Sequence, residues 1–264
     1  MDELSFDLFL PCRKGSKRVI KKNSRPFCKK NKSLLQVKLE QLIKIKEINK
    51  IILSTDDIEC INIAEDIKKI NKILFIDKRP SYLAEDNTNL KDLIKYAYKI
   101  SSSKHIIWTH VTSPFFESSD YAQAIKIYKE NVIENKKYDS LLSGIKLQKY
   151  IFSVKENDFI NASNDFWPST QTLNDHISVD SAIFIASRDF FKEGKRIGFN
   201  PYILINSEKK GKRLLILNDN KNKYDSEQIK FEQELLKSRL DSIDSERKSK
   251  KSSIEKANNN LKNL

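Results

Sequence analysis

The chain has 264 residues, of which 39% are hydrophobic, and this is enough to bury one sizeable α/β core. Its formal net charge of +13 is typical of proteins that bind nucleic acid. Only nine of the 49 basic residues are Arg, however, and base readout relies on the bidentate fork of that side chain. A Lys-rich balance with abundant Ile and Asn is typical of an AT-rich coding sequence, so we expect no nucleic-acid partner.

The cysteines and the N-terminus bear on the cellular compartment. Cys12, Cys28 and Cys60 show no paired spacing, so neither a disulfide framework nor a zinc site is indicated. The first ten residues are acidic and lack the basic start of a signal peptide. No apolar run approaches the length that spans a bilayer. We therefore expect a soluble, cytoplasmic protein.

Short apolar runs alternate along the chain with longer helical patterns. This alternation is typical of an α/β fold with a mostly parallel sheet and helices on both faces. The predicted strands are 7–11, 50–55, 72–77, 105–111, 140–145 and 178–187, and the predicted helices are 34–43, 58–67, 89–100 and 120–132. Three polar clusters, 13–23, 54–57 and 109–114, follow predicted strands, where ligands bind in open α/β sheets.

The loop after the first strand has an unusual charge. Residues 13–25 carry seven positive charges and no acidic residue. Gly15 and Ser16 would let backbone N–H groups surround phosphate oxygens, and Arg13, Lys17 and Lys22 would neutralise a polyphosphate. The Walker and dinucleotide-binding glycine patterns are both absent. From these residues alone, the segment is either a polyphosphate-binding loop or a solvated basic loop.

The order of residues in "LPCRKGSKRVIKKNSRPF" resembles the opening signature of the acylneuraminate cytidylyltransferase family, which makes CMP-activated sialic acid and related acids. The stretches "IILSTDDIECINIAE", "RPSYLAEDNT", "THVTSPFF" and "SVDSAIFIASRDFF" resemble later family motifs in the same order. The resemblance implies a nucleotide-diphospho-sugar transferase-like, Rossmann-type fold. It also implies transfer of CMP from CTP to a sialic-acid-like 2-keto sugar acid, with release of pyrophosphate, for surface polysaccharide synthesis.

The resemblance further implies roles for individual residues. The residues expected to bind the triphosphate and ribose are Arg13, Gly15, Ser16, Lys17, Lys22 and Asn23, and Arg13, Lys17 and Lys22 are expected to be catalytic through their charge. The residues expected at the cytosine pocket are Arg79, Asp86, Asn87 and Thr88. The residues expected to bind the acceptor are His110, Thr112, Ser113, Asp180 and Phe184.

Several positions depart from the family pattern. Lys14 replaces a glycine of the phosphate loop, where close backbone approach is usual. His110 stands in place of a glutamine of the sugar pocket, and it is either a structural residue or an acceptor ligand. Asp180 and Ser181 replace an Asn-Gly pair. The nucleotide side of the site therefore matches the family better than the acceptor side, which predicts an altered acceptor.

The predicted magnesium site also departs from the family pattern. In the family, an acidic segment near the end of the core holds Mg²⁺ together with phosphate oxygens. Asp219 and Asp225 have the spacing of its first and last acids, but Lys221 occupies the middle position. We predict Mg²⁺ at Asp219 and Asp225, with Asp56 and Asp57 as possible helpers. Asp57 could equally cap a helix.

The remaining predictions concern assembly and organisation. Residues 150–174 are aromatic and turn-rich, and the matching segment of the family inserts into a second subunit, so we expect a homodimer. The sequence predicts a nucleotidyltransferase domain over 1–224 and a charged helical tail over 225–264. Two alternatives remain open for function. The acceptor could be another keto-acid sugar or a phosphorylated small molecule, or the chain could be a non-catalytic homologue that binds a partner.

Overall fold

The computed structural model describes residues 4–15, 19–26, 32–162, 167 and 169–207. These residues fall into two compact units. The larger unit contains residues 4–14 and the described residues from 34 to 207, and the smaller unit contains the described residues between 15 and 33. The predicted tail and its boundary at residue 225 lie outside the described residues and stay predictions.

The larger unit contains all the strands and helices that the structure describes, and every predicted element of its core is present. The strands are β1 (Phe6–Cys12), β2 (Ile48–Thr55), β3 (Leu74–Lys78), β4 (His105–Trp108), β5 (Ser140–Leu147), β6 (Phe152–Ser153), β7 (Asp158–Phe159), β8 (His176–Ser187) and β9 (Pro201–Ile205). The helices are α1 (Leu34–Leu42), α2 (Ile58–Lys68), α3 (Leu90–Ile100), α4 (Ser118–Tyr128) and α5 (Arg188–Lys192), with a 3₁₀ turn at Ser81–Leu83 and a π-helical turn at Lys129–Glu134.

Seven strands form one sheet in the order β3-β2-β1-β4-β8-β5-β9. The pairs from β3 to β4 are parallel, and β9 is parallel to β5. β8 runs antiparallel to both of its neighbours, β4 and β5. The predicted fold class, a mostly parallel sheet of the nucleotide-diphospho-sugar transferase-like type, is confirmed, whereas the reversed direction of β8 was not predicted.

Helices cover both faces of the sheet, and the side chains of β1 pack against helices on each face. Side chains alternate between the two faces of a strand. On one face, Phe9 packs against Trp108 with ring centroids 4.7 Å apart, in a cluster that includes residues of α3 and α5 such as Ile94 and Phe191. On the other face, Phe6 contacts the ring of Tyr128 at the end of α4. Because both faces of β1 are covered, its sequence is almost entirely apolar, and the one carboxylate, Asp7, accepts hydrogen bonds from Ser102 and Ser103.

Between β5 and β8 the chain leaves the main sheet. β6 and β7 pair as a two-stranded antiparallel sheet in which Phe152 lies opposite Phe159. The rings of Tyr150, Phe152, Phe159 and Trp167 form an aromatic cluster with centroid separations of 5.2 to 5.5 Å. Phe166, part of the same predicted excursion, lies outside the described residues.

Among the helices that the structure describes, none combines the length and the apolar composition that crossing a bilayer requires.

Candidate active site

The register of the sheet aligns the ends of three strands. Cys12, Thr55 and Lys78 are the last residues of β1, β2 and β3, and they are paired side by side. Because these strands are parallel, the residues that follow them begin at one edge of the sheet. Arg13 and Arg79 therefore begin at the same edge of the sheet, with the end of β2 between them, although 66 positions separate them in the chain. This edge is where α/β sheets bind ligands.

Arg79 is buried, with 6% of its surface exposed. Its Nε donates a hydrogen bond to Ser54 Oγ at 3.2 Å, and its Nη2 donates to the Ser54 carbonyl at 2.7 Å. Burial lowers the pKa of the guanidinium, while the carboxylates of Asp56 and Asp77 act in the opposite direction. These two bonds use two of the five N–H donors of a guanidinium, so the anchored side chain keeps donors for a ligand.

A cavity of about 460 Å³ lies at the ends of β2 and β3, within the size range of small-molecule sites. Its lining combines Arg79 with the 3₁₀ turn and with Ala84 and Glu85, which directly precede the predicted cytosine-pocket residues 86–88. The lining residues are Thr55, Asp56, Ile61, Lys78, Arg79, Ser81, Ala84 and Glu85.

Arg13 reaches the same segment. Its Nη2 lies 2.7 Å from Asp86 Oδ1, and its Nη1 donates to the Ala84 carbonyl at 3.5 Å. At the end of this segment, the Thr88 hydroxyl donates a hydrogen bond to the Tyr82 carbonyl at 3.2 Å. Asn87 is exposed. The structure thus brings together Arg13, Arg79 and residues 84–88, which we call the nucleotide half. The Arg13–Asp86 pair is half-exposed, so it contributes little to stability and can be exchanged for another anion.

Lys14 replaces the family glycine without strain. Its N–H donates to Asp56 Oδ1 at 2.7 Å, and it is not among the residues with positive φ. Gly15 does have a positive φ, +75°, a conformation that favours glycine. Asp57 accepts a hydrogen bond from the Glu59 N–H at 3.0 Å and caps α2, so the cap is the role that its contacts support.

In the smaller unit, residues 21–25 form a turn. The Lys21 carbonyl accepts hydrogen bonds from the N–H groups of Ser24 and Arg25, at 3.1 and 2.8 Å. Lys22 and Asn23 lie inside this turn. Ser16 and Lys17 lie outside the described residues, and the triphosphate roles of all four stay predictions.

The predicted acceptor residues lie on two neighbouring strands and one loop. His110, Thr112 and Ser113 follow β4, whereas Asp180 and Phe184 belong to β8, which pairs with β4. We call these five residues the acceptor half. Trp108 pairs with Phe184 in the sheet, and its Nε1 donates to His110 Nε2 at 3.1 Å. That ring nitrogen of His110 is therefore an acceptor and carries no proton in this arrangement.

The loop after β4 contains two buried hydroxyl groups with no internal partner. Thr112 and Ser113 are 7% and 2% exposed. Within the part of the chain that the structure describes, neither Thr112 Oγ1 nor Ser113 Oγ has a hydrogen-bond partner. Buried polar atoms are normally paired, and unpaired ones point to a missing partner such as water or a ligand.

Asp180 and Phe184 both have contacts within the fold. Asp180 Oδ1 accepts from Ser143 Oγ and the Ala182 N–H at 2.5 and 2.9 Å, and Oδ2 accepts from Asn206 Nδ2 at 2.6 Å. Phe184 is 4% exposed, and the guanidinium carbon of Arg196 lies 4.3 Å from its ring centre. Their acceptor roles stay predictions, since these contacts already occupy much of what each side chain offers.

Sequence reasoning missed Lys38. This residue lies in α1, is fully buried, and donates hydrogen bonds to the loop after β4. The signal was present in the sequence. Lys38 falls four residues after Leu34 and four before Leu42, so the helical spacing places it on the buried stripe. A lysine at such a position needs internal partners.

The predicted metal ligands, Asp219 and Asp225, lie outside the described residues. Among residues 4–207 that the structure describes, no three His, Cys, Asp or Glu side chains are placed to hold a metal ion together. In this range Asp56 and Asp57 are engaged with Lys14 and with the start of α2, as described above. The fit of Mg²⁺ therefore depends on the two later carboxylates, and the magnesium site stays a prediction.

An open, mostly parallel sheet with a cavity at its carboxyl edge is typical of α/β proteins that bind a ligand there. Comparison with protein families is more specific, because residues 8–178 match the Cytidylyltransferase family. The chain belongs to this family and is a CTP-dependent nucleotidyltransferase, as the sequence motifs predicted. No curated protein matches the sequence.

Solved structures share the fold at low sequence identity. CMP:2-keto-3-deoxy-manno-octonic acid synthetase complexed with CTP aligns with a TM-score of 0.53 and 11% identity, over 76% of this chain and 90% of that chain. The 4-diphosphocytidyl-2C-methyl-D-erythritol synthase from Anaerococcus prevotii aligns with a TM-score of 0.54 and 11% identity, over 86% and 96%. The bifunctional IspDF from Campylobacter jejuni aligns at 0.54 and 14%, over 80% of this chain and 52% of its own.

Proposed function

We propose that this cytidylyltransferase transfers CMP from CTP to an anionic acceptor, a sialic-acid-like 2-keto sugar acid, for surface polysaccharide synthesis. The observation that carries the proposal is the cavity lined by Arg79, at the strand edge where the family motifs place the cytosine. A neighbour of the same fold makes a CMP-activated keto sugar acid from CTP, which supports this acceptor class. We expect the reaction in the cytoplasm, where CTP is available.

In this proposal the nucleotide half binds CTP. The donors that Arg79 does not use on Ser54 face the cytosine acceptors O2 and N3, and backbone groups of residues 86–88 bind the rest of the base edge. Arg13 exchanges Asp86 for a phosphate oxygen, an exchange that the exposure of the pair allows. Lys17 and Lys22 neutralise the triphosphate, a role that rests on the family resemblance.

The acceptor half holds the attacking molecule. The acceptor's hydroxyl oxygen forms a bond to the α-phosphorus of CTP, and the bond between that phosphorus and the pyrophosphate oxygen breaks. The hydroxyl proton leaves to water. Such a transfer depends on alignment and charge stabilisation more than on covalent help from the protein. The unpaired hydroxyls of Thr112 and Ser113 suit a ligand that carries hydroxyl and carboxylate groups.

Magnesium is the proposed cofactor. Asp219 and Asp225 would hold the ion, which neutralises triphosphate charge when it is bound.

Pyrophosphate release tests the proposal. Purified protein is incubated with Mg²⁺, one nucleoside triphosphate and one acceptor from a panel of 2-keto sugar acids and phosphorylated non-sugar compounds. We expect release with CTP and a keto sugar acid, and little with ATP, GTP or UTP. Release only with a phosphorylated non-sugar would establish the alternative acceptor class. Thermal stabilisation by CTP without turnover of any acceptor would favour a non-catalytic binding protein.

We also propose a homodimer in which the excursion around β6 and β7 lines the partner's acceptor pocket. Phe152 and Trp167 are 46% and 66% exposed within the aromatic cluster, and such patches mark interfaces. Sedimentation at micromolar concentration should show a dimer, and Phe152→Ser should shift it towards monomer. A single wild-type species near the 30.8 kDa monomer mass would refute this assembly.

A further inference from the structure

Lys38 is a charged side chain in the interior of the larger unit. Its exposed surface is 0%, and it shares the buried face of α1 with Leu34, Leu35, Leu39 and Leu42. Removing an ammonium group from water is costly unless hydrogen-bond acceptors replace the lost hydration. Any function of Lys38 must therefore be sought in the groups that surround its Nζ atom.

Three acceptors surround the amino group. Nζ lies 2.8 Å from the Ser113 carbonyl oxygen, 2.9 Å from that of Phe116 and 3.2 Å from the hydroxyl of Tyr121. An ammonium group has three N–H donors, so each donor has one acceptor. One turn further along α1, Gln41 Nε2 donates to the Pro114 carbonyl at 2.8 Å. Two side chains of α1 thus hold the backbone of the loop after β4.

The hydrogen bonds beyond Tyr121 fix the direction of the network. Thr109 Oγ1 lies 2.7 Å from the Ala182 carbonyl, which can only accept, so Thr109 donates there. Thr109 Oγ1 then accepts the proton of the Tyr121 hydroxyl, 2.6 Å away. Tyr121 has no second proton, so its oxygen accepts from Lys38. The complete network therefore requires the protonated amine, and it connects α1 through α4 and the residue after β4 to β8.

We propose that Lys38 is a positioning residue for the acceptor half, holding residues 109–116 so that the hydroxyls of Thr112 and Ser113 face the acceptor. The proposal rests on the proposed function of that loop. Lys38 acts through the backbone on either side of these hydroxyls, and it does not itself contact the substrate. The nucleotide half has no part in the network, so CTP binding should not depend on Lys38.

The network is also sensitive to protonation. Burial lowers the pKa of Lys38 to about 7, while the carboxylates of Asp120 and Glu117 raise it. Together with the Tyr121 phenol, these are the titratable groups that act on Lys38, and they belong to α4 and its N-cap. A neutral amine has only two N–H donors for three acceptors. Loss of the proton above this pH therefore releases one contact and loosens the loop.

Steady-state kinetics of three variants test the proposal. Lys38→Met removes the donors and keeps the length of the side chain, Lys38→Arg keeps the charge, and Lys44→Met is the control because Lys44 is exposed just beyond α1. We expect Lys38→Met to raise the KM for the acceptor about tenfold, as loss of charged hydrogen bonds does, and the KM for CTP less than about twofold. Lys38→Arg should restore part of the loss, and Lys44→Met should change neither constant.

The pH profile separates positioning from mere packing. In the wild type, the acceptor KM should rise between pH 6 and pH 8.5, and this rise should be absent from both Lys38 variants. A rise that persists in Lys38→Arg belongs to another group and would contradict the protonation part of the proposal. Equal increases in both KM values in Lys38→Met would show a general structural role and overturn the positioning role.

Amide hydrogen exchange provides a readout without substrate. The N–H groups of Ser113 and Phe116 bond to the carbonyls of His110 and Ser113 at 3.3 and 3.2 Å. Lys38→Met should accelerate exchange in this segment and leave β2 and β3 unchanged, whereas unchanged exchange would overturn the proposal. The exchange measurement needs no acceptor, so it tests the role of Lys38 even if the protein turns over no acceptor. Absence of turnover would overturn the proposed function but not the role of Lys38 in holding the loop.

If Lys38→Met fails to fold, the Tyr121→Phe variant is measured in its place. Faster exchange in the same segment supports the proposal, and wild-type exchange overturns it.

Discussion

The nucleotide half and the acceptor half of the site are constructed differently. In the nucleotide half, Arg79 is anchored to Ser54, lines the cavity and keeps donors that Ser54 does not use. In the acceptor half, two of the four polar side chains are hydrogen-bonded inside the fold. His110 accepts from Trp108, and Asp180 accepts from Ser143, Ala182 and Asn206.

The difference matches the way the sequence departs from its family. His110 and Asp180 both occupy family positions of the sugar pocket, and both have hydrogen-bond partners inside this fold. Ser181 likewise adopts a φ of +58° at a family glycine position. These substitutions are therefore built into the local structure, in keeping with the altered acceptor that the sequence predicts.

The largest effect is expected in the basic loop. Lys22→Ala should lower turnover by about 10²-fold or more, because it removes a charge that we expect to stabilise the leaving pyrophosphate. Arg25→Ala, nearer the end of the loop, should have a smaller effect. The measurement is kcat from pyrophosphate release, with circular dichroism to verify the fold. A Lys22→Ala enzyme with the wild-type rate would remove Lys22 from the catalytic residues.

A smaller effect is expected at the cytosine pocket. Arg79→Lys replaces the forked donors by a single point charge and should raise the KM for CTP about tenfold, with the acceptor KM unchanged. Arg188→Lys is a matched control, because the Arg188 guanidinium donates twice to the Tyr98 carbonyl away from the cavity. If both variants change the KM for CTP equally, Arg79 has no special role in binding the base.

Stability should depend on pH through Lys38. Its pKa is lowered in the folded chain from 10.5 to about 7, so between these values the unfolded chain binds a proton that the folded chain has released. The free energy of unfolding contributed by this group therefore rises with pH across that window, by at most about 1.4 kcal/mol per pH unit. Denaturation of wild type and Lys38→Met at pH 7 and 9 measures the difference. A difference that falls with pH would contradict the lowered pKa.

The smallest effect is expected at Ser181. Its φ of +58° is unfavourable for a side chain, so Ser181→Gly should stabilise the protein by about 0.5–1 kcal/mol. Ala186→Gly in the same strand should instead be destabilising. Thermal denaturation measures both. A destabilised Ser181→Gly would mean that the Ser181 side chain has contacts that outweigh its backbone strain.

Sequence patterns predicted the core of the fold well, because each predicted strand and helix there has a clear apolar period. The antiparallel direction of β8 could not be predicted, since the apolar run 182–186 within it fits either direction. For the site, the motifs identified Arg13, Arg79 and Asp86, which the structure brings together. The roles of Asp57 and Lys38 depend on neighbours that are distant in sequence or on hydrogen-bond geometry, which residue types alone do not reveal.

A double-mutant cycle tests the separation of the two halves most directly. Turnover is measured at subsaturating CTP and acceptor for Arg79→Lys, Lys38→Met and the combined variant. Sites that share no contacts have additive free energies, so the two losses should multiply to within about a factor of three. If the combined variant is no slower than the slower of the two single variants, the nucleotide and acceptor halves are not independent, which would contradict this account.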